Sequence, residues 1–185
     1  LILLFGAVDY HTQNMVKKHE NEITEKNEII ADKELEIDSL SAKANKADSL
    51  YTLLEKLKVM GNVDVTMYQP KPEQTNERYW ETADQSIINL EDPSKHRWLA
   101  VSRDLHVRYG GQLKFGDVVM VTGIGKHTGF YEVRDLMNAR FTRRIDILMG
   151  NDDPQFKFDS ENVTMYKVPE KMSKFAHRLK NTYLF

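Results

Sequence analysis

A seven-residue repeat of apolar side chains near the start of the chain constrains its fold more than any other feature. The repeat occupies Val16, Ile23, Ile30, Ile37, Ala44 and Tyr51. Neither proline nor glycine occurs between about residues 9 and 58, so nothing interrupts a continuous helix there. Because a long helix cannot bury such a seam by itself, it must pack against a second helix. We therefore expect residues 13–60 to form a coiled-coil stalk, paired with another copy of the chain or with a different long helix.

An unbroken apolar run precedes this repeat at residues 1–8. A helix that spans a membrane needs about 20 such residues, so the run is too short to span by itself. Two interpretations of residues 1–12 remain open. They are the end of a membrane anchor, which would place the protein at the cell envelope, or an apolar plug that docks on a partner in a larger assembly.

After the repeat, the apolar pattern changes to a period of two, which is typical of strands. Gly61 is predicted to cap the end of the helix. Six short segments, separated by glycine-containing turns, predict strands: 63–68, 98–102, 117–122, 130–135, 145–149 and 163–168. Short strands of this kind over residues 61–168 favour a small closed β-barrel.

An amphipathic helix is predicted for residues 169–185, with Pro169 at its first position. Its apolar stripe comprises Met172, Phe175, Ala176, Leu179 and Tyr183. We expect this stripe to cover the barrel or to dock on a neighbouring chain.

Composition excludes several classes of function. The net charge is −2, so no basic field marks a nucleic-acid-binding protein. Cysteine is absent, which excludes disulfides, thiolate metal sites and a cysteine nucleophile. The six histidines show no metal-ligand spacing, and the glycine-rich segment 123–129 lacks the spacing of a phosphate-binding loop. We therefore expect no metal, no cofactor and no nucleic-acid partner.

Two aspartates in neighbouring predicted strands are the strongest chemical signal. Asp146 lies between Ile145 and Ile147, although aspartate is disfavoured in strands. Alternation places its carboxylate on the face opposite the isoleucines. Asp135 ends the preceding strand. Either these carboxylates face water or they line a groove.

A groove with two carboxylates would suit general acid–base chemistry. A carboxyl that donates a proton near neutral pH needs a raised pKa, through burial or a nearby like charge. Asp146 could obtain both from its isoleucine neighbours and from Asp135. The structural alternative is that both aspartates accept hydrogen bonds from loop amides. Arg134, Arg140, Arg143 and Arg144 form a basic cluster that is either solvated or able to bind anionic groups of a substrate.

The order of motifs resembles the three-aspartate (3D) domain of membrane-bound lytic transglycosylase A and related cell-wall proteins. The eleven-residue step from Asp135 to Asp146 is the most specific of these motifs. The other motifs are Val65-Thr66-Met67-Tyr68, Gln74-Thr75-Asn76, Thr82-Ala83-Asp84, Leu99-Ala100-Val101-Ser102-Arg103-Asp104 and Leu113-Lys114-Phe115-Gly116-Asp117-Val118-Val119. The resemblance covers about residues 63–150 and implies a double-psi β-barrel.

The resemblance also implies roles for individual residues. Asp146 matches the aspartate that acts as acid and base in the transglycosylases, and Asp135 matches the second conserved aspartate. Asp104 is a looser match to the first. We assign Asp104, Tyr68, Asn138 and Arg140 as candidate substrate-binding residues. The chain departs from the family in residues 136–141, which contain no glycine.

The sequence therefore predicts an α+β protein with a long N-terminal coiled-coil helix, a small double-psi β-barrel and a short C-terminal helix. The predicted function is lytic transglycosylase-like cleavage of peptidoglycan glycan strands, at the cell envelope or on a virion. The alternative is a non-catalytic structural or adaptor barrel in a phage particle or envelope machine. An open groove with Asp146 at its floor favours the first function, whereas a groove filled by Met137 or Phe141 favours the second.

Overall fold

The computed structural model describes residues 2–75 and 77–180, with side chains described from residue 12. The chain divides into two compact units, Leu1–Thr52 and Leu53–Phe185. Within the described residues, the predicted α+β class is confirmed, with a long N-terminal helix, a mixed sheet and a short C-terminal helix.

Helix α1 (Ile2–Glu55) is continuous, as the absence of proline and glycine after its first turns predicts. Its heptad side chains are exposed in the single chain: Val16 by 51%, Ile23 by 57%, Ile30 by 54% and Ile37 by 60%. The side chains of the apolar segment 1–8 lie outside the described residues, so neither interpretation of that segment is tested. No helix in the described part of the chain is both long enough and apolar enough to cross a membrane.

In the described part of the second unit, seven strands form one mixed sheet. Its strand order is β1-β7-β4-β5-β3-β6-β2, in which β3 runs parallel to β5, β2 runs parallel to β6, and the other neighbours are antiparallel. The strands are β1 (Lys58–Asn62), β2 (Asp64–Tyr68), β3 (Trp98–Val101), β4 (Val118–Thr122), β5 (Gly129–Leu136), β6 (Arg144–Leu148) and β7 (Thr164–Lys167). Six of these strands match the sequence prediction closely.

Strand β1 corrects the predicted end of the helix. The helix ends at Glu55, earlier than predicted, and Gly61 lies within β1 instead of capping the helix. Gly61 has a φ of 98° at a β-bulge where β1 pairs with β7. A Cβ atom there would approach the Arg143 guanidinium to 2.8 Å, so glycine also provides room. Pairing with a strand about 100 residues away, which local sequence cannot reveal, decides the conformation of this segment.

One face of the sheet carries the main hydrophobic core. Its fully buried side chains alternate along the strands and include Val65, Leu99, Val119, Val121, Tyr131, Val133, Ile145, Ile147 and Met165. Ile145 and Ile147 both lie in this core, so Asp146 between them projects from the opposite face.

The C-terminal helix covers part of the sheet. A 3₁₀ turn (Glu170–Met172) leads into α2 (Ser173–Leu179), which contacts β4 and β5 and buries Ala176 and Leu179. Pro169 precedes the 3₁₀ turn and does not occupy the first position of the α-helix. Tyr183, the last predicted stripe residue, lies outside the described residues.

Candidate active site

Three adjacent strands bring the two aspartates into one row. Ala100 on β3 pairs with Asp135 of β5 on one side and with Asp146 of β6 on the other. Thr66 on β2 continues the row as the partner of Asp146. Neighbouring strands are about 4.8 Å apart, so the two aspartate Cα atoms are separated by roughly 10 Å. Ala100 is buried between them and packs against Tyr68 and Met137.

A β-bulge turns Asp135 toward this row. Leu99 pairs with Val133, but the next residue, Ala100, pairs with Asp135, so Arg134 is an extra residue in β5. Strict alternation would place Asp135 on the core face beside Val133. The bulge reverses the alternation, and Leu136 packs against the core instead. The orientation of one candidate catalytic residue therefore depends on a single inserted position.

The row forms part of the lining of a groove of about 930 Å³. Five of the six candidate residues from the sequence line it, namely Asp146, Asp135, Tyr68, Asn138 and Arg140. Met137 and Phe141 also line the groove, and both pack into a small cluster with Ala100 and Leu148. Because these two side chains belong to the wall, the groove stays open above Asp146.

Asp104 does not line the groove, which corrects its assignment to substrate binding. Its two carboxylate oxygens accept hydrogen bonds from the backbone N–H of Arg143 at 3.2 and 3.0 Å. Arg143 has a φ of 45°, so Asp104 holds a left-handed turn just before β6. The neighbouring Arg103 lines the groove instead, and no sequence motif distinguished it from the other arginines.

Asp146 has the electrostatic properties of a proton donor at near-neutral pH. Burial raises the pKa of its carboxyl from the ordinary 3.8 to about 6, and the negative charge of Asp135 adds to the rise. The Thr66 hydroxyl donates a 2.8 Å hydrogen bond to Asp146 Oδ1, and this bond, together with the charge of Arg144, opposes the rise. Half of the molecules therefore carry a protonated Asp146 near pH 6.

Asp135 combines an electrostatic and a structural role. Burial raises the pKa of its carboxyl as well, and two backbone hydrogen bonds work against the rise. The donors are the N–H groups of Leu136 at 2.8 Å and of Ala83 at 3.0 Å, both to Oδ1. Because Ala83 belongs to the long segment between β2 and β3, Asp135 fixes part of the groove rim. The structural alternative raised by the sequence therefore has specific contacts in its favour at Asp135.

Tyr68 lies beside both carboxyl groups at the end of β2. Burial and the charges of Asp135 and Asp146 raise the pKa of its phenol well above the ordinary value, so the hydroxyl keeps its proton. This hydroxyl is buried, and its interaction with the Asp135 carboxyl opposes the rise in the pKa of that carboxyl. Tyr68 therefore helps to hold Asp135 in place and lines the groove beside it.

A polar network supports the rim loop around Asp84, a residue for which no individual role was predicted. The carboxylate accepts hydrogen bonds from the Thr82 hydroxyl at 2.6 Å, the Ser86 N–H at 3.1 Å and Arg134 Nη1 at 2.8 Å. These contacts lower the pKa of Asp84 despite its partial burial, so Asp84 stays ionised. The same bulge residue, Arg134, thus ties the rim loop to the sheet.

No protein-family model, curated protein or solved structure matches this chain. Within the described residues, no group of three or more His, Asp or Glu side chains is arranged to hold a metal ion. The functional interpretation therefore depends on the groove and its two aspartates.

The ionised form of Asp146 is expected to cost the folded protein stability. A rise in pKa from 3.8 to about 6 corresponds to a free energy of about 3 kcal/mol. This free energy stabilises the folded protein below pH 4 and is lost as the pH rises through 6. Asp146→Asn keeps an oxygen acceptor for Thr66 and removes the buried charge. We expect this variant to be more stable than wild type at pH 7.5 by about 2 kcal/mol, with the difference shrinking toward pH 4.5 in chemical denaturation.

A matched control for this prediction is Asp64→Asn. Arg144 and the Ser160 N–H lower the pKa of Asp64, so its charge stabilises the fold above the ordinary value of 3.8. Loss of that charge should destabilise the protein at pH 7.5. An Asp146→Asn variant that loses stability equally at both pH values would contradict the raised pKa assigned to Asp146.

Proposed function

We propose that the sheet unit is a double-psi-type barrel that cleaves peptidoglycan glycan strands by lytic transglycosylation. The observation that carries the proposal is a buried carboxyl with a pKa of about 6 at the floor of an open groove. A general acid is most effective when its pKa lies near the working pH, because it must both hold and release a proton.

In the proposed reaction, Asp146 begins protonated. It donates its proton to the glycosidic oxygen as the bond to the anomeric carbon breaks, and the leaving sugar departs as an alcohol. The resulting carboxylate then accepts the proton of the 6-hydroxyl of the sugar that carries this anomeric carbon. The 6-oxygen bonds to the anomeric carbon and closes an anhydro ring. Asp146 is protonated again at the end, so one residue serves as acid and then as base.

The other groove residues support this step in different ways. Asp135 contributes a negative charge that raises the pKa of Asp146, and its Oδ1 holds the rim loop through Ala83. Tyr68 lines the groove beside both carboxyl groups, and its hydroxyl is a donor for a sugar oxygen. Asn138 and Arg140 are exposed on the wall of the groove, where they are available to bind hydroxyl or carboxylate groups of the glycan.

Product analysis tests this function directly. Purified peptidoglycan is digested with the full chain, and the soluble fragments are analysed by mass spectrometry. We expect anhydro-muropeptides, which lack one water relative to hydrolytic products. Fragments with ordinary reducing ends would identify a hydrolase instead, and undigested wall would contradict the proposed activity.

The second candidate function is a structural or adaptor module. It is favoured by Asp135, whose Oδ1 accepts two backbone hydrogen bonds, and by the exposed apolar seam of α1. Under this function the aspartates would stabilise loops, and the helix would attach the unit to a cell-envelope or virion assembly. Undigested wall would support it.

Self-association through α1 is common to both functions and makes a prediction of its own. Ile30 is 54% exposed at the centre of the heptad seam, and a charge there should prevent a coiled coil from burying the seam. We expect Ile30→Glu to convert an oligomeric full-length chain into monomers in sedimentation equilibrium.

Leu35 provides the matched control. It is 70% exposed and lies about 140° around the helix from Ile30, away from the seam. Leu35→Glu adds the same charge and should leave the oligomeric mass unchanged. A wild-type chain that is monomeric at micromolar concentration, or equal effects of the two variants, would contradict the predicted seam.

A further inference from the structure

A second cavity of about 480 Å³ lies in the same unit, and none of the described residues lines both this cavity and the groove. Its lining carries four positively charged side chains, those of Lys95, Arg97, Lys126 and Lys180. Nothing in the proposed glycan cleavage uses these residues. Their arrangement therefore calls for a separate explanation.

Arg97 is held rigidly at this cavity. Its guanidinium stacks 3.9 Å above the Tyr131 ring, and its Nε and Nη2 donate to the carbonyls of Phe130 and His127, each at 3.4 Å. The backbone of Arg97 is in the left-handed region with a φ of 52°. A Cβ at Gly129 would come within 2.5 Å of Nη2, so glycine at that position leaves room for the guanidinium.

The fixed guanidinium retains unused donors. Arginine has five N–H donors, and the two carbonyls use one on Nε and one on Nη2. Both donors of Nη1 and one of Nη2 therefore have no partner among the described residues, and no described carboxylate pairs with Arg97. Two adjacent nitrogens with free donors form the fork that binds two oxygens of one anion.

The acidic side chains of this cavity are already engaged in turns. Asp153 Oδ2 accepts the Gly150 N–H at 2.6 Å, and Asp92 Oδ1 accepts the Ser94 hydroxyl at 3.1 Å and the Lys95 N–H at 3.3 Å. Lys180 pairs with the buried Glu132 at 2.8 Å. Lys95 and Lys126, like Arg97, have no ion-pair partner among the described residues. The cavity therefore has three unpaired cations and two aspartates whose carboxylates accept hydrogen bonds within turns. Burial lowers the pKa of His127, the charges of Lys126 and Arg97 add to this effect, and the charge of Asp153 opposes it.

We propose that this cavity binds a phosphate-bearing ligand, with its phosphate on the Arg97 fork and Lys95 and Lys126 as flanking charges. A tetrahedral dianion can accept hydrogen bonds from both nitrogens of this fork and still reach an ammonium group. The cavity volume exceeds that of a phosphate ion alone, so the ligand has room for an attached organic group. This proposal does not depend on the function of the groove.

Isothermal titration calorimetry of the full chain with inorganic phosphate and with glycerol phosphate tests the site. We expect saturable binding, weakened roughly tenfold or more in Arg97→Gln and to a smaller extent in Lys126→Gln. Lys126 is exposed, so its variant should fold normally. Arg108→Gln, at an exposed position outside the cavity, is the matched control and should bind as wild type.

Two further measurements make the result decisive. The pKa of His127, followed by NMR, should rise when phosphate neutralises Lys126 and Arg97, and this readout does not depend on stability. Acetate and chloride at equal ionic strength should not compete with phosphate for the cavity. Tighter binding of glycerol phosphate than of phosphate would indicate an esterified ligand, and the reverse would indicate the free ion. Equal competition by acetate, or binding unchanged in both cavity variants, would overturn the proposal.

Discussion

Asp146→Asn is expected to reduce the release of anhydro-muropeptides by roughly 10²- to 10⁴-fold, the range that a general acid–base residue contributes. The amide cannot donate a proton to the glycosidic oxygen, although it is nearly the same size and still accepts the Thr66 hydrogen bond. The same variant is expected to gain stability at neutral pH. Loss of activity in a more stable protein would separate the chemical role of the residue from a role in folding.

The pH profile adds a second expectation for wild type. Because the acid step needs the protonated carboxyl, activity should fall as pH rises through about 6. Asp135→Asn keeps the Oδ1 acceptor for Ala83 and Leu136 and removes the neighbouring charge. That charge raises the pKa of Asp146, so the fall in activity should move to lower pH, with a smaller loss at the optimum.

The Asp135 variant also serves as the control for the Asp146 assignment. If Asp146→Asn digests peptidoglycan as fast as wild type, Asp146 is not the acid. If Asp135→Asn abolishes activity and Asp146→Asn does not, the two roles are reversed. Rates would be measured from the same mass-spectrometric product series at several pH values.

Glu132→Ala is expected to destabilise the sheet unit by about 3–5 kcal/mol in chemical denaturation. Glu132 is only 4% exposed and accepts from Arg134 Nη2 at 2.6 Å and from Lys180 Nζ at 2.8 Å. Burial lowers the pKa of Lys180, and the Glu132 carboxylate opposes this effect. Removal of the carboxylate would leave the Lys180 ammonium buried without a counter-charge, which is the reason for the large expected loss.

Two controls establish that the loss comes from the unpaired charge. Glu170→Ala removes an exposed partner of Lys114, whose contact is 3.2 Å, and should change the free energy of unfolding by less than about 1 kcal/mol. The double variant Glu132→Leu with Lys180→Met replaces the buried pair with apolar groups and should recover much of the stability. Equal losses of unfolding free energy in Glu132→Ala and Glu170→Ala would show that the buried pair contributes no more to stability than an exposed one.

The sequence predicts the strands around the site better than it predicts the site residues' orientation. The period-two pattern located β6 and the burial of Ile145 and Ile147, because both faces of that strand differ sharply in polarity. It did not predict that Asp135 faces the groove, because the bulge at Arg134 reverses the alternation expected from Val133. The resemblance to the 3D domain placed Asp104 with the substrate, whereas its carboxylate accepts hydrogen bonds from the backbone N–H of Arg143, which is far along the chain.

Local periodicity, which the sequence displays directly, determined the helix, the apolar face of the sheet and six of the seven strands in the described part of the chain. Pairing between distant segments decided the rest. It made a strand of Lys58–Asn62, placed Asp135, Ala100 and Asp146 in one row, and buried Asp146 enough to raise its pKa to about 6. Strand register and desolvation depend on atoms brought together from separate parts of the chain, so only the tertiary structure could supply the features on which the proposed chemistry depends.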